Sequence, residues 1–177
     1  MKEDIIKGNV AYPKTLNAYG YCWGNPVPYA STSSGEKDTI GYGHDFIKNG
    51  DKDKWLSQGS ITEKEAEELL IQDIENNIPY ELFRKLEEAE VYLTPNEIDA
   101  IISLAFNCGA GELDYNSPNF TKLLLSKNYT KEQIEKEFLT YLGSEDVAEG
   151  LMKRRIAEAK IFNDSVYDMK YKECSIE

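Results

Sequence analysis

The sequence predicts an α+β fold, with a small N-terminal β-containing lobe followed by a larger C-terminal helical one. Three observations carry that prediction. Residues 8–59 are rich in Gly, Pro, Ser, Asn and Tyr and hold short β-like pieces without a helical period. Residues 61–162 switch to apolar positions recurring at helical spacing, with charge on the opposite faces. Within that second stretch, three helix starts carry a Thr followed three residues later by Glu or Gln. In that pattern each side chain satisfies the other residue's backbone N–H.

The first informative element lies within residues 35–46, where Gly41 and Gly43 bracket Tyr42 after Thr39-Ile40. Glycines so placed predict a strand whose backbone must approach something closely. Taken alone, the stretch reads as a β-hairpin with a solvated acidic turn. A dinucleotide-binding loop fits poorly, because the third glycine is missing and no helical period follows at once. Thr62 and Glu65 then form the first capping box, with Ala66, Leu69, Leu70 and Ile74 as the inward stripe and Pro79 limiting or bending the helix. Thr94 and Glu97 form the second, with Pro95 at the first helical position. It opens the run Ile98–Phe106, apolar on most sides and so a candidate central buried helix. Thr130 and Gln133 form the third, feeding Ile134, Phe138, Tyr141 and Leu142. A last helix carries Leu151, Ile156, Ala159 and Phe162, and the tail after Tyr167 is expected to fray.

Composition narrows the function classes. The 177 residues suit one domain with a proper core. Twenty Lys and Arg against 32 Asp and Glu leave a net charge of −12, the wrong sign for tracking a phosphate backbone, so no nucleic-acid partner is expected. No apolar run approaches the length of a membrane span. The start, Met1 to Lys7, turns polar at once, so no cleavable signal peptide is expected. Cys22, Cys108 and Cys174 are widely spaced and odd in number, which favours free thiols in a reducing compartment. With a single histidine and no Cys/His cluster, neither a metal site nor another cofactor is expected.

Four segments in order resemble the phage-type lysozymes, the endolysin family of muramidases that also includes lysozyme-like bacteriocin domains. Thr39-Ile40-Gly41-Tyr42-Gly43-His44 resembles that family's Thr-x-Gly-x-Gly-His strand. Residues 61–73 look like its first long helix, and residues 93–109 are similar to the buried helix ending in Phe-Asn-x-Gly. Residues 150–158 match its Gly-Leu-x-x-Arg-Arg-x-x-Glu helix. The resemblance spans roughly residues 39–167. It implies a single lysozyme-like domain over residues 1–177, with a β-containing lobe at about 8–60, a helical lobe at 61–167 and a saccharide cleft between them. The implied reaction is hydrolysis of the β-1,4 bond between N-acetylmuramate and N-acetylglucosamine in peptidoglycan. Such chemistry needs a protonated carboxylic acid for the leaving oxygen and a second polar group to help a water or stabilise the oxocarbenium-like transition state.

The family's site transfers unevenly. Thr39 matches the catalytic Thr of the motif. The general acid should be a Glu directly before a Gly, but matching Ile5–Pro13 to the helix end and first strand puts Lys7 there, and that match implies an insertion near residues 14–34. A competing match through Trp23-Gly24 and Val27-Pro28-Tyr29 puts Trp23 there. Neither offers a carboxylate, and a lysine ammonium is a poor proton donor at neutral pH. Three accounts stand: an acid supplied from elsewhere, by Glu36 or Glu3; a lysozyme-fold protein that binds glycan or a partner without cleaving; or an introduced substitution at Lys7. Asp45, on the same strand parity as Thr39, is preferred over Asp38 as second carboxylate, its plainer alternative being a turn aspartate. The resemblance further implies that His44 pairs with Asp73, that Asn107 and Gly109 border the substrate, and that Arg154 faces the acid. Lys14 to Tyr29 hold clustered aromatics that suit either a glycan platform or the cover of a satellite core. The expected partner is the peptidoglycan glycan strand, met by a monomer, with an inhibitor or delivery protein as further partner classes. Without a signal, the enzyme would be made in the cytoplasm and reach the wall or periplasm through a membrane pore or as a delivered effector.

Overall fold

The computed structural model describes residues 27–31, 39–142 and 148–167. They form an α+β chain that divides into two compact units, one ending at Asn76 and the other beginning at Asn77.

The first unit is built on a three-stranded antiparallel sheet in the order β1-β2-β3, with β1 at Val27–Ser31, β2 at Thr39–Gly41 and β3 at His44–Asp45. Val27 pairs with Gly41 and Ser31 with Thr39, so residues 27–31, expected within an insertion, supply the strand beside the Thr39 strand. Three helices follow: α1 at Phe46–Asn49, α2 at Lys52–Gln58 and α3 at Glu63–Asn76. Ile40, Phe46, Trp55, Ile61, Ala66 and Leu69 close a core between sheet and helices, with Tyr42 packed against it. The close approach expected of the glycines is real at Gly41. Its φ is +64°, and a Cβ there would lie 3.2 Å from Ile61 Cδ1 and 3.3 Å from the Ala66 methyl. Both the backbone conformation and the space therefore require glycine. Helix α3, expected in the helical lobe, packs on β2 and β3 and groups with the sheet. Helices α1 and α2 were not anticipated, because each is too short to display a helical period.

The second unit is helical: α4 at Tyr80–Glu88, α5 at Pro95–Cys108, a π-helical turn at Glu112–Asn116, α6 at Pro118–Leu125, α7 at Lys131–Phe138, a 3₁₀ turn at Leu139–Tyr141 and α8 at Ala148–Asp164. All three capping boxes form. Thr62 N–H donates to Glu65 at 2.7 Å, Thr94 N–H to Glu97 at 2.7 Å and Thr130 N–H to Gln133 at 2.8 Å, and in each the N3 backbone N–H faces the threonine hydroxyl. Helix α5 is the buried one, with Asp99 through Ala105 shielded from solvent, and α8 packs along both α5 and α7. Asn96 at the start of α5 donates to the carbonyls of Ile161 and Phe162, which caps the far end of α8. Phe120, Phe138 and Phe162 meet edge-on in the core between α6, α7 and α8. Helix α4 has no local capping signal. Its Leu82 N–H is instead received by Asp114 from the π-helical turn, 2.9 Å away and 32 positions along the chain.

Candidate functional site

In the first unit the strand register decides which side chains act together. Thr39 lies directly opposite Asp45, and Ile40 opposite His44. Opposed residues of an antiparallel pair share a face and alternate faces along the strand. Ile40 and His44 point into the core, 0% and 6% exposed, which leaves the partly exposed Thr39 and Asp45 together on the other face. One Asp45 oxygen accepts the Lys48 backbone N–H at 2.9 Å, holding the start of α1, so the turn role and the cross-strand pairing coexist in one side chain.

His44 forms the expected pair with Asp73, its Nδ1 lying 3.0 and 2.9 Å from the two carboxylate oxygens. Its Nε2 faces a second carboxylate, Asp51, at 3.3 and 3.2 Å. Asp51 is held in turn by Trp55 Nε1, which donates to it at 2.7 Å, and the indole packs edge-on against the imidazole. The hydrogen bond that His44 donates to Asp73 is the main cause that lifts the His44 pKa above its ordinary value; burial opposes the rise and Asp51 adds to it. Asp51 escaped the sequence reading. Its one local signal is the spacing of four to Trp55 at the opening of a helix.

In the second unit, α5 and α8 share a buried polar network. Glu158 is fully buried and Arg155 is 1% exposed. Arg155 Nη1 donates to Glu158 at 2.6 Å and its Nε to the Tyr141 carbonyl at 3.0 Å, while Nη2 donates to Asn107 Oδ1. Arg154 Nε donates to Glu158 at 2.9 Å and its Nη2 to the Ser103 carbonyl at 3.1 Å. Ser103 Oγ donates to Glu158 at 2.8 Å. Two guanidinium groups thus share one carboxylate, and backbone and amide oxygens accept from further N–H groups of both. Arg154 and Asn107, both expected at the site, belong to this network. Arg155, Glu158 and Ser103 are the members not singled out, although the Arg-Arg-x-x-Glu spacing places the first two on one side of a helix.

Gly109 ends α5 with φ +92°, and its N–H donates to the Ala105 carbonyl at 2.7 Å. Nothing lies within 4 Å of a Cβ built there, so the backbone and not the packing calls for glycine. Cys108 is a free thiol that burial pushes up to about 11, which keeps it protonated and unreactive at neutral pH. Lys7 and Glu36 lie outside the described residues, as do Glu3, Cys22, Trp23, Asp38, Cys174 and the aromatic stretch before Val27. Among the described residues no cluster of three His, Cys, Asp or Glu could hold a metal, and no helix is long and apolar enough to cross a membrane.

The search of curated proteins gives no match. Among solved structures, the chain is similar to an endolysin from Escherichia coli O157:H7 phage FAHEc1, with 27% identity and a TM-score of 0.64, covering 88% of this chain and 94% of that one. The family model for phage lysozyme matches residues 25–158, which include the paired strands, the capped helices and the α5–α8 network. This chain therefore belongs to the phage lysozyme family and has its lysozyme-like α+β fold.

Proposed function

We propose that this protein is a muramidase that hydrolyses the β-1,4 bond between N-acetylmuramate and N-acetylglucosamine in peptidoglycan. Family membership supports a muramidase-type function in the broad sense. The observation that carries the finer reading is the register that sets Thr39 and Asp45 opposite each other on the face turned away from the Ile40–His44 core. A hydroxyl beside a carboxylate can orient a water, and the carboxylate can take the water's proton as its oxygen adds to the anomeric carbon and the bond to the leaving oxygen breaks. The leaving oxygen takes a proton from an acid, for which Glu36 is the candidate. Asn107, Gly109 and Arg154 are proposed to contact the glycan, which the protein meets at the cell wall after its own release through a membrane pore or delivery as an effector.

The test is release of reducing ends from purified sacculi. Asp45→Asn should lower the rate by about a hundredfold or more, the scale of a lost general base. An unchanged rate would remove Asp45 from the chemistry. Activity abolished by Glu36→Gln would support Glu36 as the acid, and activity surviving that change would exclude it.

A second reading, a lysozyme-fold protein that binds glycan or a partner without cleaving it, is favoured by a specific observation. With Val27–Ser31 as the strand beside Thr39, the match through Trp23-Gly24 fits better than the one through Lys7, and it puts tryptophan at the acid's position. An inactive protein that gains activity through Trp23→Glu would support this reading and that alignment. Gain through Lys7→Glu would point instead to a lysine introduced at the acid's place.

A further inference from the structure

Asp51 stands at the N-cap position of α2, yet its carboxylate makes no cap bond there. An aspartate so placed ordinarily accepts from the backbone N–H groups of its own helix. Here two side chains hold it instead: Trp55 Nε1 donates at 2.7 Å, and His44 Nε2 lies 3.2 Å away. The main chain at Asp51 meanwhile closes α1. Gly50 has φ +74°, and the Asp51 N–H donates to the Phe46 carbonyl at 3.1 Å. Asp45 holds the other end of α1, its Oδ1 accepting the Lys48 N–H at 2.9 Å while Asn49 Nδ2 donates to its carbonyl at 2.8 Å. Asp45 follows His44 in β3 and turns to the opposite face. The contacts therefore form a closed circuit, from His44 to Asp45, through α1 to Asp51, and back to the imidazole.

Helix α1 is a single turn of four residues, too short to keep its geometry by its own hydrogen bonds, so its two ends set it. We propose that Asp51 is a positioning residue for Asp45: clamped on His44, it fixes the turn whose Lys48 N–H aims the Asp45 carboxylate beside Thr39. That role rests on the muramidase reading of Asp45 above, and it adds the condition under which the aim is lost. The titratable groups facing the imidazole are Asp73 from α3 and Asp51 from the head of α2; Ile40 of β2 and Trp55 of α2 bring no charge. With His44 protonated, both ring nitrogens donate and the clamp is closed. Loss of one proton leaves a single N–H, which stays on Nδ1 against the closer Asp73. The Nε2 lone pair then faces the Asp51 carboxylate, which withdraws. Because the folded imidazole keeps its proton above the ordinary 6.5, the clamp opens as pH rises through that higher folded value.

Hydrogen exchange followed by NMR on the full chain tests the clamp independently of activity. As the His44 ring signals titrate, protection of the Lys48 amide should fall about fivefold, the scale of one hydrogen bond. Asp51→Ala should lack that protection at every pH. Asp51→Asn should keep it at every pH, because an amide can accept from Trp55 and donate to neutral His44 at once. Protection that stays level across the His44 titration, or that still falls in Asp51→Asn, would overturn the proposal. These two measurements decide the matter even where Asp51→Ala does not fold. On solubilised peptidoglycan, a folded Asp51→Ala protein should turn over about fivefold more slowly with KM unchanged, and Asp51→Asn should recover the parent rate. Unchanged turnover in the alanine variant would remove Asp51 from the positioning of Asp45. If the unaltered protein leaves peptidoglycan intact while Lys48 protection follows His44, the muramidase reading fails and the clamp stands.

Discussion

His44 shows how one side chain takes its properties from several distant ones. Its two ring nitrogens face Asp73 and Asp51, an arrangement that the protonated ring satisfies fully, since both nitrogens then donate. Neutral imidazole donates from only one. The pKa of His44 is raised in the folded chain above the ordinary 6.5 of the unfolded one, so its contribution to stability is complete below about 6.5 and is lost as pH rises through the folded value. Chemical denaturation across that range should show this loss, and it should disappear in His44→Gln; an identical profile in the variant would sink the assignment. Replacing Asp73 with Ala should cost about 3 kcal/mol by leaving the ring without its main partner. Asp51→Ala should cost less, about 2 kcal/mol, and should also free the Trp55 indole N–H, which an NMR shift of that proton would report.

Whether an element could be read from the sequence depended on where its ends find their hydrogen bonds. Helices α3, α5 and α7 carry their own caps three residues apart, and each starts where the threonine places it. Thr94→Ala should destabilise the second unit by about 1 kcal/mol, the usual cost of a lost cap, measured as a shift in the denaturant midpoint without a change in slope. Helix α4 shows no such local sign, because Asp114 supplies the acceptor from a separate turn. Burial lifts the Asp114 pKa while the Leu82 N–H opposes the rise. Asp114→Ala should therefore fray the start of α4, seen as faster hydrogen exchange at Leu82 and its neighbours, with α5 unaffected. Equal acceleration in both helices would mean that Asp114 acts on the unit as a whole and not as a cap.

On the scale of the molecule, charge and buried polarity pull on function in different ways. A net charge of −12 opposes approach to an anionic wall, and salt screens that repulsion. Binding to purified sacculi should therefore strengthen as salt rises from about 0.01 to about 0.15 M, the range over which the screening length falls from about 30 to about 8 Å. A steep decrease over that range would indicate that a local cationic surface governs binding. In the second unit, Arg155 and Glu158 commit a buried ion pair to joining α5 with α8. Such pairs seldom add much net stability, yet removing one partner is costly, because the other is left buried and unpaired.

Signals carried by neighbours in the chain were enough to establish the α+β class, three capped helices, the Thr39 strand and the resemblance to phage lysozymes. Each depends on residues a few positions apart, where periodicity, capping and backbone freedom act directly. Strand parity also sufficed to place Thr39 and Asp45 on one face, and the His44–Asp73 pair followed from the family resemblance. Only the tertiary structure decided the rest. It showed which strand lies beside Thr39, that Asp51 holds the other face of His44, that Asp114 caps α4, and that Arg155 orients Asn107. These are contacts between groups far apart in the chain, such as the 48 positions between Asn107 and Arg155, and they exist only once folding has brought helix against helix. No local propensity encodes which end of an amide a buried guanidinium will face.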